Sequence, residues 1–441
     1  MVNIIQQITT NQNPQKPDVH SKEISPEELL QKQTLLAQAR EATESPSEKV
    51  GEPFTPNLEQ QFNKDTAILY IESEQDIESE EQIYRVRGYA ADNDKEEKLF
   101  TEFSLKCNFS LSENIKSYND EDYISAVQDF LGLIKGFLNV NERGRKRIGN
   151  WLIKIQERLK VSILVINDRT DSEIPWEMMK LRNKYLGTSL VTIRWQDVEV
   201  LDYFDENSNS NLIPLSFDSY NCSGDVVAYI NTNELKEAEK DKEVLINNFN
   251  IEPFDNINNF LGHLEKVTSQ ISLMFISSHG FFSKETSQIR LGEMNNKKQN
   301  KSLLSLNDYG FRFFQNGHSI VFMNACHSGR LMKDKKEKIM RSDHRTGFAT
   351  FFIQRGARGM IGTLDRVLEK YAVKVTKIFF DEYQRNRQLT VPAILKNIRE
   401  EVVKNMEDDR TEENELICFS TFMYVYYGHP MTVLDLPSGK K

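Results

Sequence analysis

Cysteine is scarce in this 441-residue sequence, and no two cysteines form a C-x-x-C pair; the four present are Cys107, Cys222, Cys326 and Cys418. So few cysteines in so long a chain do not make a disulfide-stabilised scaffold. The sequence also lacks a run of about 18 apolar residues, so we expect no membrane-spanning helix. Its start has no basic segment followed by an apolar stretch, which argues against a secretory signal. We therefore expect a protein of the reducing cytoplasm.

Positive charge is in deficit, with 56 Lys and Arg against 66 Asp and Glu, for a net charge of −10. Because nucleic-acid-binding proteins are usually basic, this balance argues against direct nucleic-acid binding. No glycine-rich phosphate loop is present. The spacing of His279, His318, Cys326 and His327 fits no common zinc pattern. We therefore expect neither a cofactor nor a metal.

The first 62 residues have the composition of a disordered leader. Six of the 12 prolines fall within residues 1–56, among many Gln, Asn, Glu, Ser and Thr residues. Such a segment buries too little apolar surface to offset the entropy that ordering costs. One short helix is predicted at 26–42, where Ser25 is a suitable N-cap and Pro26 a suitable first residue.

Residues 63–160 predict a small region of β-strands and helices. The segments AILYIESE, QIYRVRGYAA and LFTEFSL are β-rich and separated by charged turns, which predicts a small antiparallel sheet. Apolar residues at three- and four-residue spacing then predict helices at 122–138 and 143–159.

From residue 161 the pattern alternates between buried strands and helices. Strands are predicted at 161–167, 226–230, 271–277, 319–325 and 358–364, with a last strand or strand pair at 417–428. Helices are predicted at 234–249, 347–357, 367–384 and 391–406. This alternation predicts an α/β fold with an open, mostly parallel sheet and helices on both faces. Residues 433–441 are predicted to be a C-terminal tail.

Two strand ends carry residues with catalytic chemistry. The strand at 271–277 leads into SSHGFF, and that at 319–325 leads into NACHSG, so His279 and Cys326 each follow a strand. Active groups of open α/β sheets collect beyond the carboxyl ends of the strands. If these two strands are adjacent and parallel, both side chains emerge at the same edge.

A cysteine and a histidine placed together can hydrolyse a peptide bond. His279 could take the proton of the Cys326 thiol and later protonate the leaving amine. The backbone N–H groups of Gly280 and Cys326 are candidates for the oxyanion hole. A lone Cys or His after a strand is more often part of the core. What favours catalysis here is their pairing, each on a glycine-bearing loop at a strand end.

Several motifs resemble one peptidase family. SSHGFF followed by VFMNACHSG resembles caspase-like (clan CD) cysteine peptidases, and SEIPWEMM, RTGFATFFIQRGARGMIGTL, the segment from GTLDRVLEKY to FFDEY, and FSTFMYVYYGHP resemble the CHAT branch related to separase and caspases. The resemblance spans roughly 161–432. It implies a caspase-like three-layer sandwich with a six-stranded, mostly parallel sheet, and a catalytic dyad of His279 and Cys326 without an acidic third member.

The resemblance also implies a function and partners. It suggests a regulated cysteine endopeptidase that acts on a protein substrate, is activated by a partner protein, and works in a bacterial stress or antiviral defence pathway. Two alternatives remain open: a catalytically silent or latent caspase-like scaffold or adaptor, and a different Cys–His acyltransferase.

Acidic residues near the site are candidates for a pocket that selects a basic P1 residue, as in related peptidases. These candidates are Asp365, where the family usually has Trp, Glu369, where it often has Asp, and Asp168 after the strand at 161–167. A buried carboxylate facing Arg or Lys forms a charge-assisted pair. Each could instead be a solvated loop charge or a helix-capping residue.

Two charged loops flank the predicted site, at 283–302 and 330–345. The basic loop at 330–345 follows the nucleophile, where caspase-like enzymes are often cut during activation. Self-cleavage there is one interpretation, and an exposed charged loop is the other.

Overall fold

The structure of the chain is a computed structural model, and it describes residues 65–437 with gaps at 76–81, 93–96, 107–108, 110–119, 171, 182–183, 197, 199–212, 214, 250, 284–287, 317–318 and 334–344. The predicted leader at 1–62, the helix at 26–42, Cys107, His318 and most of the loop at 330–345 therefore lie outside the described residues.

The described residues form nine α-helices, several short 3-10 turns and 19 strands. The helices are α1 Asp120–Val140, α2 Glu142–Leu159, α3 Leu186–Ser189, α4 Ala238–Phe249, α5 Ile257–Leu264, α6 Phe348–Gln354, α7 Glu369–Arg385, α8 Val391–Asp408 and α9 Glu412–Met423. The strands of the main sheet are β1 Thr66–Gln75, β2 Gln82–Asp92, β3 Glu97–Lys106, β4 Ile163–Asp168, β7 Val191–Arg194, β9 Asp225–Ile230, β10 Ile271–Ser277, β14 Ile320–Asn324, β17 Gly359–Thr363 and β18 Tyr424–Gly428. The remaining strands are β5 Lys180–Leu181, β6 Lys184–Tyr185, β8 Tyr220–Ser223, β11 His279–Phe281, β12 Arg290–Gly292, β13 Asn300–Ser302, β15 Met332–Lys333, β16 Arg345–Thr346 and β19 Thr432–Asp435.

One ten-stranded sheet runs through the chain in the order β3-β2-β1-β4-β7-β18-β17-β14-β10-β9. Six of its nine neighbouring pairs are parallel, and the antiparallel ones are β3–β2, β2–β1 and β17–β18. The α/β fold with a mostly parallel sheet and N-terminal antiparallel strands is therefore confirmed. The sheet has four strands more than the six expected. Three are the N-terminal strands, which join the main sheet because β1 pairs in parallel with β4, and the fourth is β7, which was not predicted and lies between β4 and β18.

Two hydrophobic cores lie on opposite faces of the sheet, as the alternation of side chains along β10 shows. Leu273 and Phe275 face the first core, whereas Met274 and Ile276 face the second. The first core contains residues of α1, α2, α4, α7, α8 and α9, and the second contains residues of α5 and α6. The predicted layer of helices on each face is confirmed.

The segment at 417–428 differs from its prediction as a strand or strand pair. Helix α9 continues to Met423, and only Tyr424–Gly428 forms a strand. Thr411 caps this helix by accepting the Asn414 N–H, and acidic residues occupy its first turn. Six of its last seven residues, Cys418–Met423, are buried. Because buried residues follow one another without a gap, the sequence shows no helical periodicity here and is typical of a buried strand.

The boundaries predicted at 62/63, 160/161 and 432/433 stay predictions. The sheet itself is continuous across 160/161, since β1 and β4 pair from Thr66 and Ile163 to Ile71 and Asp168.

Candidate active site

Two parallel strands bring His279 and Cys326 together. Strands β10 and β14 pair in register with Ser277 opposite Asn324, and His279 and Cys326 each follow two residues later. Both residues line one cavity of about 130 Å³ at this edge of the sheet. The expectation that the two strands are adjacent and parallel is therefore confirmed.

The Cys326 thiol is partly buried and forms no disulfide. Its Sγ–H donates to the Val367 carbonyl, with 3.6 Å between sulfur and oxygen. Burial raises the pKa of the thiol, whereas the hydrogen bond with the Val367 backbone and the nearby Arg366 guanidinium lower it. Arg366 and Val367 belong to the turn between β17 and α7, so this turn lies against the Cys326 thiol.

The imidazole of His279 is oriented by an acid that the sequence did not reveal. Nε2 of His279 lies 3.5 Å from Oε2 of Glu234. Glu234 is itself fixed, because its carboxylate accepts the backbone N–H groups of Met294 at 2.5 Å and Asn295 at 2.9 Å. Burial lowers the pKa of His279, and Glu234 opposes that shift. The imidazole is therefore neutral at pH 7 and able to accept a proton.

Gly280 allows the segments that carry His279 and Cys326 to approach each other closely. A Cβ at this position would lie 2.1 Å from the carbonyl oxygen of Cys326 and 3.1 Å from its backbone nitrogen. Any side chain would force the loops apart. The assignment of the Gly280 and Cys326 N–H groups to an oxyanion hole stays a prediction.

The three candidate P1 carboxylates lie in three different places. Glu369, the first residue of α7, lines the cavity with His279 and Cys326, and its Oε2 accepts the Glu237 N–H at 3.2 Å. Asp365 and Asp168 are not among the described residues that line it.

Asp365 is turned towards His327 instead of the cavity. Its Oδ1 lies 3.4 Å from Nδ1 of His327 and accepts the Arg366 N–H at 2.8 Å. Burial raises the pKa of Asp365 to about 6 and lowers that of His327 to about 3. The imidazole is therefore neutral, and the contact is not an ion pair.

Asp168 is part of the protein interior near β4. Its carboxylate accepts the indole N–H of Trp176 at 2.8 Å and both the N–H and the hydroxyl of Thr170. These donors occupy both oxygens of a side chain that is almost fully buried. Asp168 thus fixes Trp176 in the core.

Asp241 is a second acidic residue in the cavity, and it was not singled out from the sequence. It belongs to α4 and is 1% exposed. Its Oδ2 accepts the Ser277 hydroxyl at 2.7 Å and the Asn324 amide at 2.9 Å, so it joins the last residues of β10 and β14. It lies at 241, after Ala238 and before Leu245 and Phe249, and these buried neighbours show that it occupies the apolar face of the helix. An acidic residue on the apolar face of a predicted helix is the sequence signal that could have identified Asp241 as a buried polar residue.

A family model described as the CHAT domain matches residues 147–414, which is more than half of the chain. The chain belongs to the CHAT domain family. This confirms the family predicted from the motifs. No curated protein matches the chain.

Solved structures similar to this CHAT protein include two of the Saccharomyces cerevisiae separase–securin complex. They match with 11% and 9% identity and TM-scores of 0.41 and 0.45, each over 84% of this chain and 30% of the other. The complex of Porphyromonas gingivalis RgpB pro- and mature domains matches with 8% identity and a TM-score of 0.38, over 66% of this chain and 70% of the other. This chain therefore spans under a third of the length of the matched separase-complex chains.

The CHAT motif around Trp176 and Glu177 is buried and held by hydrogen bonds. Trp176 is fully buried, and Glu177 forms a bidentate pair with Arg194 at 3.0 and 2.7 Å. In the same segment, Glu173 accepts the Arg330 guanidinium at 2.6 Å. The motif thus connects the segment after β4 to the loop that follows Cys326.

The described residues of the CHAT protein offer neither a metal-binding cluster nor a membrane-spanning helix. These residues contain no group of three or more His, Cys, Asp and Glu side chains placed to hold a metal ion. None of their helices combines the length and apolar composition that crossing a bilayer requires.

Proposed function

We propose that this CHAT protein is a cysteine endopeptidase in which Cys326 is the nucleophile and His279 the general base. The observation that carries the proposal is the in-register pairing of β10 with β14, which delivers both side chains to one cavity. A thiol and a neutral imidazole at a shared cavity can carry out acyl transfer from a peptide.

The proposed reaction begins with proton transfer from the thiol. Because Nε2 of His279 faces Glu234, Nδ1 is left to accept the Sγ proton. The sulfur then attacks the carbonyl carbon of the scissile bond, and the N–H groups of Gly280 and Cys326 stabilise the oxyanion. The C–N bond breaks as His279 protonates the amine, and water hydrolyses the thioester to release the acid and regenerate the thiol.

Glu234 acts as a positioning residue in this scheme. Its carboxylate keeps a proton on Nε2 and holds the ring, the role that an acid takes in a Ser–His–Asp triad. The resemblance to caspase-like enzymes implied no acid, so this third member is a feature of this chain. The preference for Arg or Lys at P1 is supported by Glu369, which lines the same cavity.

A latent state is the second candidate, and one observation favours it. Within the described residues, the thiol donates its hydrogen bond to the Val367 carbonyl and not to His279. Activation would then require the turn at 365–368 to move and release the thiol. An activating partner protein, a cytoplasmic location and a role in antiviral defence are further hypotheses that rest on the sequence and the resemblance.

Cleavage of a fluorogenic peptide library varied at P1 tests the function. We expect turnover after Arg or Lys that disappears in both Cys326→Ala and His279→Ala. Turnover that survives in either variant would remove the dyad from the mechanism. If the wild type is silent, rapid and stoichiometric alkylation of Cys326 by a peptidyl chloromethyl ketone would identify a latent peptidase, whereas no reaction would favour the scaffold.

A further inference from the structure

Helix α1 carries a cluster of exposed apolar side chains. Seven large hydrophobic side chains are exposed among the described residues, and three of them lie on this one helix: Leu131, Leu133 and Val140, which are 43%, 45% and 54% exposed. Single exposed apolar residues are normal on a protein surface, but several on one element are typical of an interaction site. The opposite face of α1, with Phe130 and Phe137, already packs in the first core. The exposed side chains can therefore be buried only by another surface.

The same exposed face of α1 contains two glycines. Gly132 and Gly136 lie one helical turn apart, both are exposed, and a Cβ at either position would meet no atom within 4 Å. Glycine inside a helix lowers the stability of that helix relative to alanine, and no contact within the described part of the chain requires it here. The glycines do provide room, because two helices approach most closely where no side chain separates their backbones.

One acidic and one basic residue lie symmetrically about Gly132 on this face. Asp129 precedes Gly132 by three residues and Lys135 follows it by three, so each lies about 4.5 Å from it along the helix axis and about 60° around it, in opposite directions. Both side chains are exposed, and at a spacing of six residues they do not face each other. Among the described residues neither forms an ion pair.

Such a charge pattern is complementary to itself. In a dimer with twofold symmetry every contact occurs twice, because residue i of one protomer meets residue j of its partner and j meets i. If two copies of α1 pack antiparallel and cross at Gly132, Asp129 lies at the level of the partner's Lys135, and the reverse pair forms on the other side of the crossing. A parallel packing in the same register would instead place Asp129 level with the partner's Asp129. The charges therefore favour a second copy of this chain in the antiparallel orientation.

We propose that the exposed face of α1 is the interface of a homodimer of this CHAT protein. Two copies of α1 cross antiparallel at Gly132, and two pairs between Asp129 and the partner's Lys135 fix their orientation. Leu131 and Leu133 flank the crossing, one on each side, where the dimer removes apolar surface from water. The proposal goes beyond the peptidase function and does not depend on it, since no residue of the active-site cavity takes part.

Sedimentation velocity of the full-length protein, at concentrations of about 1–100 µM, tests the proposal. An interface formed by one helix of each protomer is small, so we expect a reversible dimer with a dissociation constant in the micromolar range. Asp129→Lys and Lys135→Asp each place like charges opposite each other twice in the homodimer. Each variant alone should therefore dimerise at least about 10-fold more weakly than the wild type.

An equimolar mixture of the two charge-reversal variants is the decisive sample. In the mixed dimer each protomer meets the opposite charge at both positions, so the wild-type affinity should return. Glu243→Lys is the matched control, since it reverses the charge at an exposed position of α4, and it should leave dimerisation unchanged.

Gly132→Leu separates the interface from a general loss of structure. The larger side chain should prevent the close approach of two helices and leave a monomer. Thermal unfolding of that monomer should be unchanged or shifted upward, because Leu is the better helix former and a Cβ meets nothing at this position.

Two results would overturn the proposal. One is a wild-type protein that stays monomeric at the highest concentration, which would leave this face of α1 to a different partner protein. The other is a wild-type dimer whose affinity neither charge reversal changes, or whose weakened variants do not recover on mixing, because the contact would then lie elsewhere on the chain.

Discussion

Oε2 of Glu234 lies 3.5 Å from Nε2 of His279, although the two residues belong to separate segments of the chain. Glu234 lies between β9 and α4, and His279 lies directly after β10. Two backbone N–H groups of the segment after β12 fix the carboxylate. Three segments thus determine the orientation of one imidazole ring.

Replacing Glu234 with Gln should lower kcat by about 10- to 100-fold and leave KM nearly unchanged, because the base loses part of its orientation. The carboxylate raises the pKa of His279, and catalysis needs the neutral ring. The acid limb of kcat/KM, expected below pH 6.5 in the wild type, should therefore move to lower pH in the variant. Glu252→Gln, at an exposed position, is the control. A purely structural role for Glu234 would leave the position of the limb unchanged.

Replacing Arg366 with Gln should slow alkylation of Cys326. The guanidinium lowers the pKa of this thiol, so its removal reduces the thiolate fraction at neutral pH. We expect iodoacetamide to react about 3- to 10-fold more slowly at pH 7.5, as followed by mass spectrometry.

The other described cysteines provide the background for that measurement. Cys222 and Cys418 are buried and have pKa values raised by burial to about 12, so they should stay unmodified. Cys326→Ala protein gives the remaining background rate. An unchanged rate in Arg366→Gln would show that the guanidinium does not act on the thiol.

Replacing Gly280 with Ala should abolish most activity, by about 100-fold or more, because the new Cβ would overlap the Cys326 carbonyl oxygen and displace the nucleophile loop. The matched control is Gly262→Ala in α5, where a Cβ meets nothing within 4 Å. That substitution should keep activity and leave stability equal or slightly higher. Peptidase assays and circular dichroism of both variants provide the comparison, and full activity in Gly280→Ala would refute the close approach.

Replacing Glu177 with Ala should destabilise the fold by about 3–5 kcal/mol, because the buried Arg194 guanidinium loses its bidentate partner. Urea unfolding followed by tryptophan fluorescence measures the change. Glu239→Ala removes an exposed carboxylate and should cost under about 0.5 kcal/mol. Similar losses in the two variants would mean that the buried pair contributes little.

The strand ends of the active site could be predicted from the sequence because local pattern determines them. Continuous apolar runs ending in SSHGFF and NACHSG predicted β10 and β14, and the structure places His279 and Cys326 directly after them. The rule that active groups lie at the carboxyl ends of parallel strands then required no tertiary information.

The acidic residues of the site could not be found in the same way. Glu234 and Asp241 belong to one highly charged stretch, ELKEAEKD, in which most charges face solvent. Their tertiary contacts distinguish them. Glu234 accepts hydrogen bonds from the backbone of residues 294–295, and Asp241 accepts hydrogen bonds from the last residues of β10 and β14. Conversely, Asp168 is the last residue of β4 and Asp365 follows β17, so both lie at strand ends as His279 and Cys326 do, but both form local hydrogen bonds and neither lines the cavity.

The family match begins at residue 147, inside α2 and after the three N-terminal strands. A chain cut at that point would lose most of the first turns of α2 and would leave β4 without its neighbour β1, exposing unpaired N–H and C=O groups along an apolar strand. The unit that family members share is therefore smaller than the unit that folds here. In this protein, the segment shared with the family begins at residue 147, whereas the sheet that has to form as one piece begins at β1.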